Sequence, residues 1–261
     1  PVTGEVYVSY DNFVRKISAV DVTSVVAGNG ATTSPTQKFP DVPTDALQVP
    51  LLQPRDLAFD TSGNLYIADA RHARIVKLEP TGLLSLTAQY SSNSYPAGLA
   101  FFNGKLFVAD GNAQNIARID NPGSAGNAAT SIAGTISLVC DYTATTCGDG
   151  GVITNATFNL QESNSTPAWI GLEADANGLY VLDQGKAGRG RVRYLNLSAS
   201  AVTLAGTRIE GNQIDTIAGT GLLTPFDGGV ANGAVLGGPN GVAADAQGNL
   251  WIAKDRKSTR L

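Results

Sequence analysis

The 261-residue sequence lacks methionine entirely and contains one histidine and two cysteines. Charged residues make up only 15%, and 18 Lys and Arg against 22 Asp and Glu give a net charge of −4, so we expect no nucleic-acid partner. No apolar run approaches the roughly 18 residues of a spanning helix, and residues 1–10 do not resemble a signal peptide, so we expect no membrane insertion. The missing methionine leads us to expect that an upstream segment was removed or is not included.

The two cysteines, Cys140 and Cys147, are separated by six residues. This spacing is too wide for a C-x-x-C redox or zinc pair but can close a small loop as a disulfide. We therefore predict that they are bonded to each other. The low charge and the abundance of Gly, Ala, Thr, Asn and Ser are more typical of secreted proteins, and disulfides persist in oxidising compartments. We expect an extracellular or periplasmic location.

One pattern returns five times: a glycine, an aliphatic-aromatic-aliphatic run and usually Ala-Asp. It predicts a β-strand at 4–9, 63–69, 104–110, 178–183 and 248–254. Four of these strands are preceded by another predicted strand, and turn-forming residues join the two. The preceding strands are predicted at 54–60, 96–102, 168–175 and 239–245. A third strand is predicted at 14–17, 74–78, 116–119 and 191–195, and a fourth at 22–28, 83–87, 130–134 and 215–219.

Four antiparallel strands per repeat predict an all-β β-propeller, because a single sheet cannot bury both of its faces. The run Pro-x-Gly-Val-Ala-x-Asp-x-x-Gly-Asn-Leu-Tyr-Ile-Ala-Asp, followed by Ile-Ala-Gly-Thr-Gly, resembles the NHL repeat. Segments 149–156 and 226–234 match the linker of its bacterial long form. The resemblance implies about six four-stranded blades in a complete domain. For function it implies sensors, adhesion domains, and lyases or lactonases.

We expect residues 1–254 to form a single NHL-like propeller domain of about four and a half blades, truncated at both ends. Both ends supply a second strand, so they do not complement each other. Residues 255–261 replace the expected third strand and are interpreted as a non-native tail. Because an open ring would expose apolar blade faces, we expect either further chain or neighbouring subunits to cover them.

Three loops between a fourth strand and the next first strand are long. We call them the first insertion (31–53), the second insertion (136–166) and the third insertion (221–238). In a propeller, loops between second and third strands open on the same face and here add a mixed polar rim. The candidate ligand-binding residues on this face are Asp56, Asp69, Arg71, His72, Asp110, Asn112, Asp183 and Arg189. The strand-end aspartates have a second interpretation as caps of turn amides, and it is the stronger one.

Two carboxylates depart from the repeat. Glu173 stands where other copies have alanine, and Asp56 stands where others have glycine. Both could line the mouth of the central channel, where lactonase-type propellers hold a metal, so they are the candidate ligands for a divalent cation. The alternative is a structural ion pair, with Arg55 as one partner. His72 is the only histidine, which excludes the multi-histidine zinc site of the amidating-lyase branch of the NHL family.

The aromatic residues of the repeated strand are expected to pack in the core between blades. They are Tyr7, Tyr66, Phe107, Tyr180 and Trp251.

Three functions remain open. The first is a non-catalytic extracellular recognition or assembly module that needs no cofactor and binds a protein or glycan through the face with the long loops. The second is a metal-dependent lactonase- or lyase-like enzyme with a divalent cation in the channel. The third is the sensor domain of a larger receptor. The sequence contains no G-x-S-x-G elbow, phosphate loop or Cys–His nucleophile pair, which favours the first.

Overall fold

The computed structural model describes residues 4–124, 126–135, 139–141, 146–160, 170–185, 190–219, 230–236, 238–245 and 247–254. Arg189, the tail 255–261 and parts of the second and third insertions lie outside these residues. The chain divides into unit 1, residues 1–113 with 117–130, and unit 2, residues 114–116 with 131–261. In the part of the chain described, no helix is long and apolar enough to cross a membrane.

Unit 1 begins with a three-stranded antiparallel sheet, whose strands in order are β1 (Val6–Tyr10), β2 (Phe13–Ile17) and β3 (Thr23–Ala27). A five-stranded sheet of order β4-β8-β7-β6-β5 follows. Its strands are β4 (Thr44–Asp45), β5 (Pro54–Phe59), β6 (Leu65–Asp69), β7 (Arg74–Leu78) and β8 (Leu83–Gln89). A one-turn 3₁₀ helix, Ala70–His72, joins β6 to β7.

The next sheet has four strands, β9 (Pro96–Phe102), β10 (Lys105–Asp110), β11 (Asn115–Ile119) and β12 (Thr130–Ala133). Unit 2 contains a five-stranded sheet of order β13-β19-β16-β15-β14. Its strands are β13 (Gly151–Val152), β14 (Leu172–Ala174), β15 (Gly178–Asp183), β16 (Arg191–Asn196) and β19 (Gln213–Ala218). Two hairpins complete it: β17 (Val202–Leu204) with β18 (Thr207–Ile209), and β20 (Pro239–Ala244) with β21 (Leu250–Lys254). Short 3₁₀ helices lie at Ile153–Asn155 and Ala231–Gly233.

The strands predicted from the repeat are confirmed, with ends shifted by a few residues. Two additional strands come from the long insertions: β4 pairs with the fourth strand β8, and β13 pairs with the fourth strand β19. Both are two residues long, so they carry no alternation of apolar and polar residues by which a sequence would indicate them. The first and second insertions therefore each attach to the outer strand of a sheet.

Core packing of the repeated aromatic residues is confirmed at Tyr66, Phe107 and Tyr180, which are all buried. It is wrong for Trp251, whose surface is 66% exposed. Its sheet has two strands in the described part of the chain, so few neighbours cover the indole.

The hairpin aspartates bind the aromatic residue of the following strand wherever that ring carries a donor. The donor and acceptor pairs are Tyr66 Oη to Asp60 at 3.4 Å, Tyr180 Oη to Asp175 at 2.8 Å and Trp251 Nε1 to Asp245 at 3.1 Å. In the β9–β10 hairpin, Phe102 replaces the aspartate and Phe107 is the aromatic residue of the following strand. Their ring centres lie 6.2 Å apart. The aspartates at these turns are thus structural, as the turn chemistry predicts.

Candidate functional site

Arg74, at the start of β7, fixes the first insertion to its sheet. Its side chain is 1% exposed, and its Nε donates to Asp69 Oδ2 at 2.8 Å. The other guanidinium nitrogens donate to the backbone carbonyls of Gln37 at 3.2 Å and Pro50 at 3.0 Å. The guanidinium carbon lies 5.0 Å from the ring centre of Phe39, a cation–π contact. One buried cation therefore holds both arms of the insertion.

Arg193, in β16, repeats this arrangement for the second insertion. Its Nε and Nη2 donate to Asp149 Oδ1 at 2.9 and 2.7 Å. Its Nη1 and Nη2 donate to the carbonyls of Thr157 at 2.8 Å and Cys147 at 2.9 Å, and the guanidinium lies 5.0 Å from the ring of Phe158. A guanidinium suits both sites because its planar fork of donors can bind a carboxylate and several carbonyls at once.

Two of the strand-end aspartates cap amides of their own turns, as predicted: Asp110 accepts the N–H groups of Asn112 and Ala113 at 3.0 Å, and Asp183 accepts that of Gly185 at 3.2 Å. All three strand-end aspartates also accept a backbone N–H from the segment leading into their sheet: Leu52 to Asp69 at 2.7 Å, Tyr95 to Asp110 at 2.9 Å, and Asn159 to Asp183 at 3.0 Å. All three carboxylates are buried. They are therefore not part of the exposed polar rim expected from the sequence, because their oxygens satisfy amides inside the protein.

His72 is also buried, contrary to its expected place in an exposed rim. Its Nδ1 hydrogen-bonds Asp69 Oδ2 at 2.7 Å, and its Nε2 lies 2.9 Å from Thr33 Oγ1 of the first insertion. The imidazole thus adds a further connection between this insertion and the turn that follows β6. Asp69, His72 and Arg74 form one buried polar cluster.

Two of the candidate ligand-binding residues are exposed. Arg71 projects from the 3₁₀ helix, and Asn112 donates from Nδ2 to the carbonyl of Asn93 at 2.9 Å. Arg189 lies outside the described residues. The ligand-binding role of this set stays a prediction.

Asp56 joins neighbouring strands of unit 1. Its Oδ1 accepts the N–H of Leu57 at 2.8 Å, and its Oδ2 accepts the N–H of Leu99 in β9 at 2.7 Å. Arg55, the candidate partner in an ion pair, donates from Nε to the hydroxyl of Tyr95 at 2.7 Å. Asp56 therefore stabilises the packing of β5 beside β9.

Glu173 lies in β14 of unit 2, opposite Tyr180 of β15. Burial raises the pKa of its carboxyl group, and a hydrogen bond from the Ala174 amide opposes the shift. Asp56 and Glu173 belong to different units. Within the residues the structure describes, no group of three or more His, Cys, Asp or Glu side chains could hold a metal ion. A cation site at these carboxylates stays a prediction.

The predicted disulfide between Cys140 and Cys147 is present, with Cα atoms 5.6 Å apart. Both residues are buried. The carbonyl of Cys147 is one of the groups that Arg193 binds. The covalent bridge and the guanidinium therefore fix the same part of the second insertion.

A cleft of about 640 Å³ lies in unit 1 between the first insertion and β8. Its lining comprises 35–43, His72, Ser85, Leu86, Gln89, Tyr90, Ser92 and Gly126. The sequence does not indicate this cleft, because its shape depends on how the insertion diverges from the sheet. The sequence feature that could have indicated the cleft is the pair of prolines, Pro40 and Pro43, close to where the insertion meets the sheet, because proline has no N–H to extend strand pairing.

Residues 20–187 match the family model of the teneurin NHL domain. The chain belongs to the teneurin NHL domain family. This confirms the resemblance to NHL repeats that the five repeat copies carry. No curated protein matches the chain.

Solved structures similar to this chain are β-propellers. A nidogen–laminin complex is 13% identical with a TM-score of 0.56, covering 96% of this chain and 69% of that chain. Virginiamycin B lyase from Staphylococcus aureus, with quinupristin, is 14% identical with a TM-score of 0.50, covering 97% and 60%. An auxiliary nutrient binding protein from Bacteroides ovatus is 15% identical with a TM-score of 0.55, covering 95% and 63%.

These likenesses show an all-β propeller fold for this chain. The chain spans less than two thirds of the length of the lyase and of the nutrient binding protein. The number of blades stays a prediction, and so does the coverage of apolar blade faces by further chain or subunits.

Proposed function

We propose that this chain is a recognition module that binds an extracellular protein through its long insertions. The observation that supports this most directly is the equivalent anchoring of two insertions by Arg74 and Arg193. A loop already held in one conformation loses little entropy when a partner binds. Loops on a rigid scaffold are also where binding residues concentrate.

The anchors favour a fixed surface over a mobile lid. A lid that closes over a substrate must open and close on the timescale of turnover. Releasing the second insertion would separate Arg193 from Asp149, and releasing the first would remove the carbonyls of Gln37 and Pro50 from Arg74. Each release would leave a buried guanidinium with unsatisfied donors, which is costly. Each insertion is therefore better suited to presenting a preformed surface of its own than to gating a reaction.

An extracellular location fits this function. Disulfides such as Cys140–Cys147 typically form and persist in oxidising compartments, which include the outside of the cell and the periplasm. The nidogen–laminin complex offers an example of this fold in a protein–protein complex, and it supports a protein partner over a glycan.

The second candidate function is a metal-dependent, lactonase- or lyase-like reaction. The observation that favours it is the raised pKa of the half-buried Glu173 carboxyl group. Elemental analysis of the purified chain tests this alternative. A stoichiometric divalent ion that is lost in Glu173→Gln and retained in Glu210→Gln, an exposed control, would favour the enzyme.

Binding can be tested with the purified chain, biotinylated and tetramerised on streptavidin, on an array of secreted and cell-surface proteins and glycans. We expect binding to proteins that is lost in Arg74→Met or Arg193→Met. The control Arg208→Met removes an exposed arginine that pairs with Glu210 and should bind normally. Equal binding by all three variants, or binding to glycans alone, would contradict the proposal.

A further inference from the structure

We propose that Arg55 and Arg71 of unit 1 form an anion-binding site that takes an aspartate or glutamate side chain of the partner protein. This inference rests on the proposed recognition function and names one chemical group by which the partner is recognised. A guanidinium matches a carboxylate because its planar fork offers two parallel N–H donors to the two oxygens.

The fold brings the two arginines to the same end of the five-stranded sheet of unit 1. Arg55 is the second residue of β5, and Arg71 lies in the 3₁₀ helix that follows β6. The strands β5 and β6 are antiparallel neighbours, and Pro54 pairs with Asp69. The backbone N–H of Arg71 also donates to the carbonyl of Leu52, just before β5, at 3.2 Å. Backbone pairing therefore holds both arginines in place.

Tyr95, which precedes β9, orients Arg55. The Tyr95 hydroxyl accepts a hydrogen bond from Arg55 Nε at 2.7 Å. Tyr95 is 5% exposed, so it is a fixed partner for the half-buried arginine side chain. The backbone carbonyl of Arg55 accepts the Ser9 hydroxyl at 2.6 Å, which fixes its main chain as well. A guanidinium that is already oriented loses less side-chain entropy when it binds an anion.

Positive charge surrounds the Tyr95 hydroxyl. Burial raises the pKa of this hydroxyl, and the guanidinium charges of Arg55 and Arg71 oppose the shift. No carboxylate among the described residues contributes to this pKa shift. Both guanidinium groups therefore lie near one hydroxyl. Because two like charges in one region repel each other, an anion that binds between them relieves the repulsion.

The carboxylates nearest to these arginines in the sequence have other partners. Asp69 is bonded within the buried polar cluster. Both oxygens of Asp56 accept backbone N–H groups. The Arg71 side chain is exposed, and within the residues that the structure describes it forms no ion pair. Its charge can therefore pair with a carboxylate of a partner.

The first insertion adjoins this site, which favours a protein partner over a small free anion. Leu52, whose carbonyl binds the Arg71 N–H, belongs to the insertion. Arg74 anchors the same insertion through the carbonyls of Gln37 and Pro50. A protein that binds the insertion next to Leu52 would also contact the exposed Arg71 side chain. An acidic side chain at that point of the partner would be attracted during approach as well as bound.

The site can be probed on the wild-type chain, labelled with ¹⁵N, before a partner is identified. The probe is the peptide acetyl-Gly-Glu-Gly-amide, and acetyl-Gly-Gln-Gly-amide is its uncharged control. We expect the glutamate peptide to shift the Nε–H resonances of Arg55 and Arg71 to saturation and the glutamine peptide to leave them unchanged. The resonance of Arg208, which already pairs with Glu210, is the internal control and should not move. Equal shifts at all three arginines, or none, would overturn the proposal.

A partner protein identified on the array provides the second test. We expect Arg71→Glu, at an exposed position, to weaken binding more than tenfold, because it places a like charge against the acidic side chain of the partner. The matched control, Arg208→Gln, should leave the affinity unchanged. A lysine at one aspartate or glutamate of the partner should restore binding to Arg71→Glu. Equal affinity of Arg71→Glu and the wild type would overturn the inference, and the peptide titration decides the matter if Arg71→Glu does not fold.

The outcomes separate this site from the proposed function. Array binding that is lost in Arg74→Met but unchanged in Arg71→Glu would overturn the anion site and retain recognition through the insertions. Peptide shifts at both arginines with no protein bound on the array would support the anion site and count against the proposed function. Binding to acidic glycans alone would overturn the protein partner in both proposals.

Discussion

Replacing Arg74 with methionine should destabilise the fold substantially, because it keeps the aliphatic stem and removes the guanidinium. The substitution leaves the Asp69 carboxylate, 0% exposed, without its cation. It also leaves the carbonyls of Gln37 and Pro50 without this donor. Removing one partner of a buried ion pair costs about 3–5 kcal/mol, which is a large share of the roughly 5–15 kcal/mol that stabilises a typical domain.

Urea unfolding followed by circular dichroism should therefore show the free energy of unfolding fall by about 3–5 kcal/mol. Hydrogen exchange should accelerate in the first insertion before the strands of the sheet are affected. Adding Asp69→Asn to Arg74→Met should recover part of the loss, since a neutral amide oxygen can still accept the Leu52 N–H. Arg208→Met, the exposed control, should cost less than about 0.5 kcal/mol. A loss below about 1 kcal/mol in Arg74→Met, or exchange that accelerates evenly along the chain, would refute the anchoring role.

Three further predictions follow from the same structure. Replacing Cys140 and Cys147 by serine should lower the free energy of unfolding by about 2–3 kcal/mol. Hydrogen exchange in the second insertion should accelerate while the far-UV circular dichroism spectrum stays unchanged. Equal exchange rates in the variant and the wild type would contradict this prediction. The carboxyl group of Glu173 has a raised pKa in the folded state, so its contribution to stability is lost as the pH rises above the ordinary value of 4.5. Glu173→Gln should therefore melt at a higher temperature than the wild type at pH 8 but not at pH 4. A difference in melting temperature that does not depend on pH would contradict this prediction. Tyr194→Phe removes the 2.6 Å hydrogen bond to Asp175. In urea titrations it should lower the free energy of unfolding by about 1.5–3 kcal/mol. An unchanged free energy of unfolding would show that this bond does not stabilise the fold.

The second strand of each repeat was predictable because every copy carries the same local signals, a turn glycine and a run of aliphatic and aromatic residues. The strand-end aspartates Asp110 and Asp183 were interpreted correctly as caps of turn amides. Trp251 was assigned wrongly to the core, because its burial depends on how many strands cover it and not on its place in the repeat.

The anchors could not be predicted, because the sequence shows Arg74 and Arg193 only as members of third strands. Their partners are carbonyl groups of distant loop residues, and backbone carbonyls carry no sequence signal. The role of His72 could not be predicted either. From the sequence, a lone histidine between two strands is interpreted as an exposed loop residue. In the structure, hydrogen bonds to Asp69 and Thr33 make it part of the buried polar cluster. The sequence does indicate the length of the insertions, which first suggested a binding surface.

The central proposal, recognition through fixed insertions, is tested most directly by the hydrogen-exchange footprint of the chain in complex with a protein identified on the array. We expect slower exchange in described segments of the insertions, at 31–53 and 146–160, and unchanged exchange at the hairpin turns near Asp60 and Asp175. Protection confined to those turns, with the insertions exchanging as in the free chain, would contradict it.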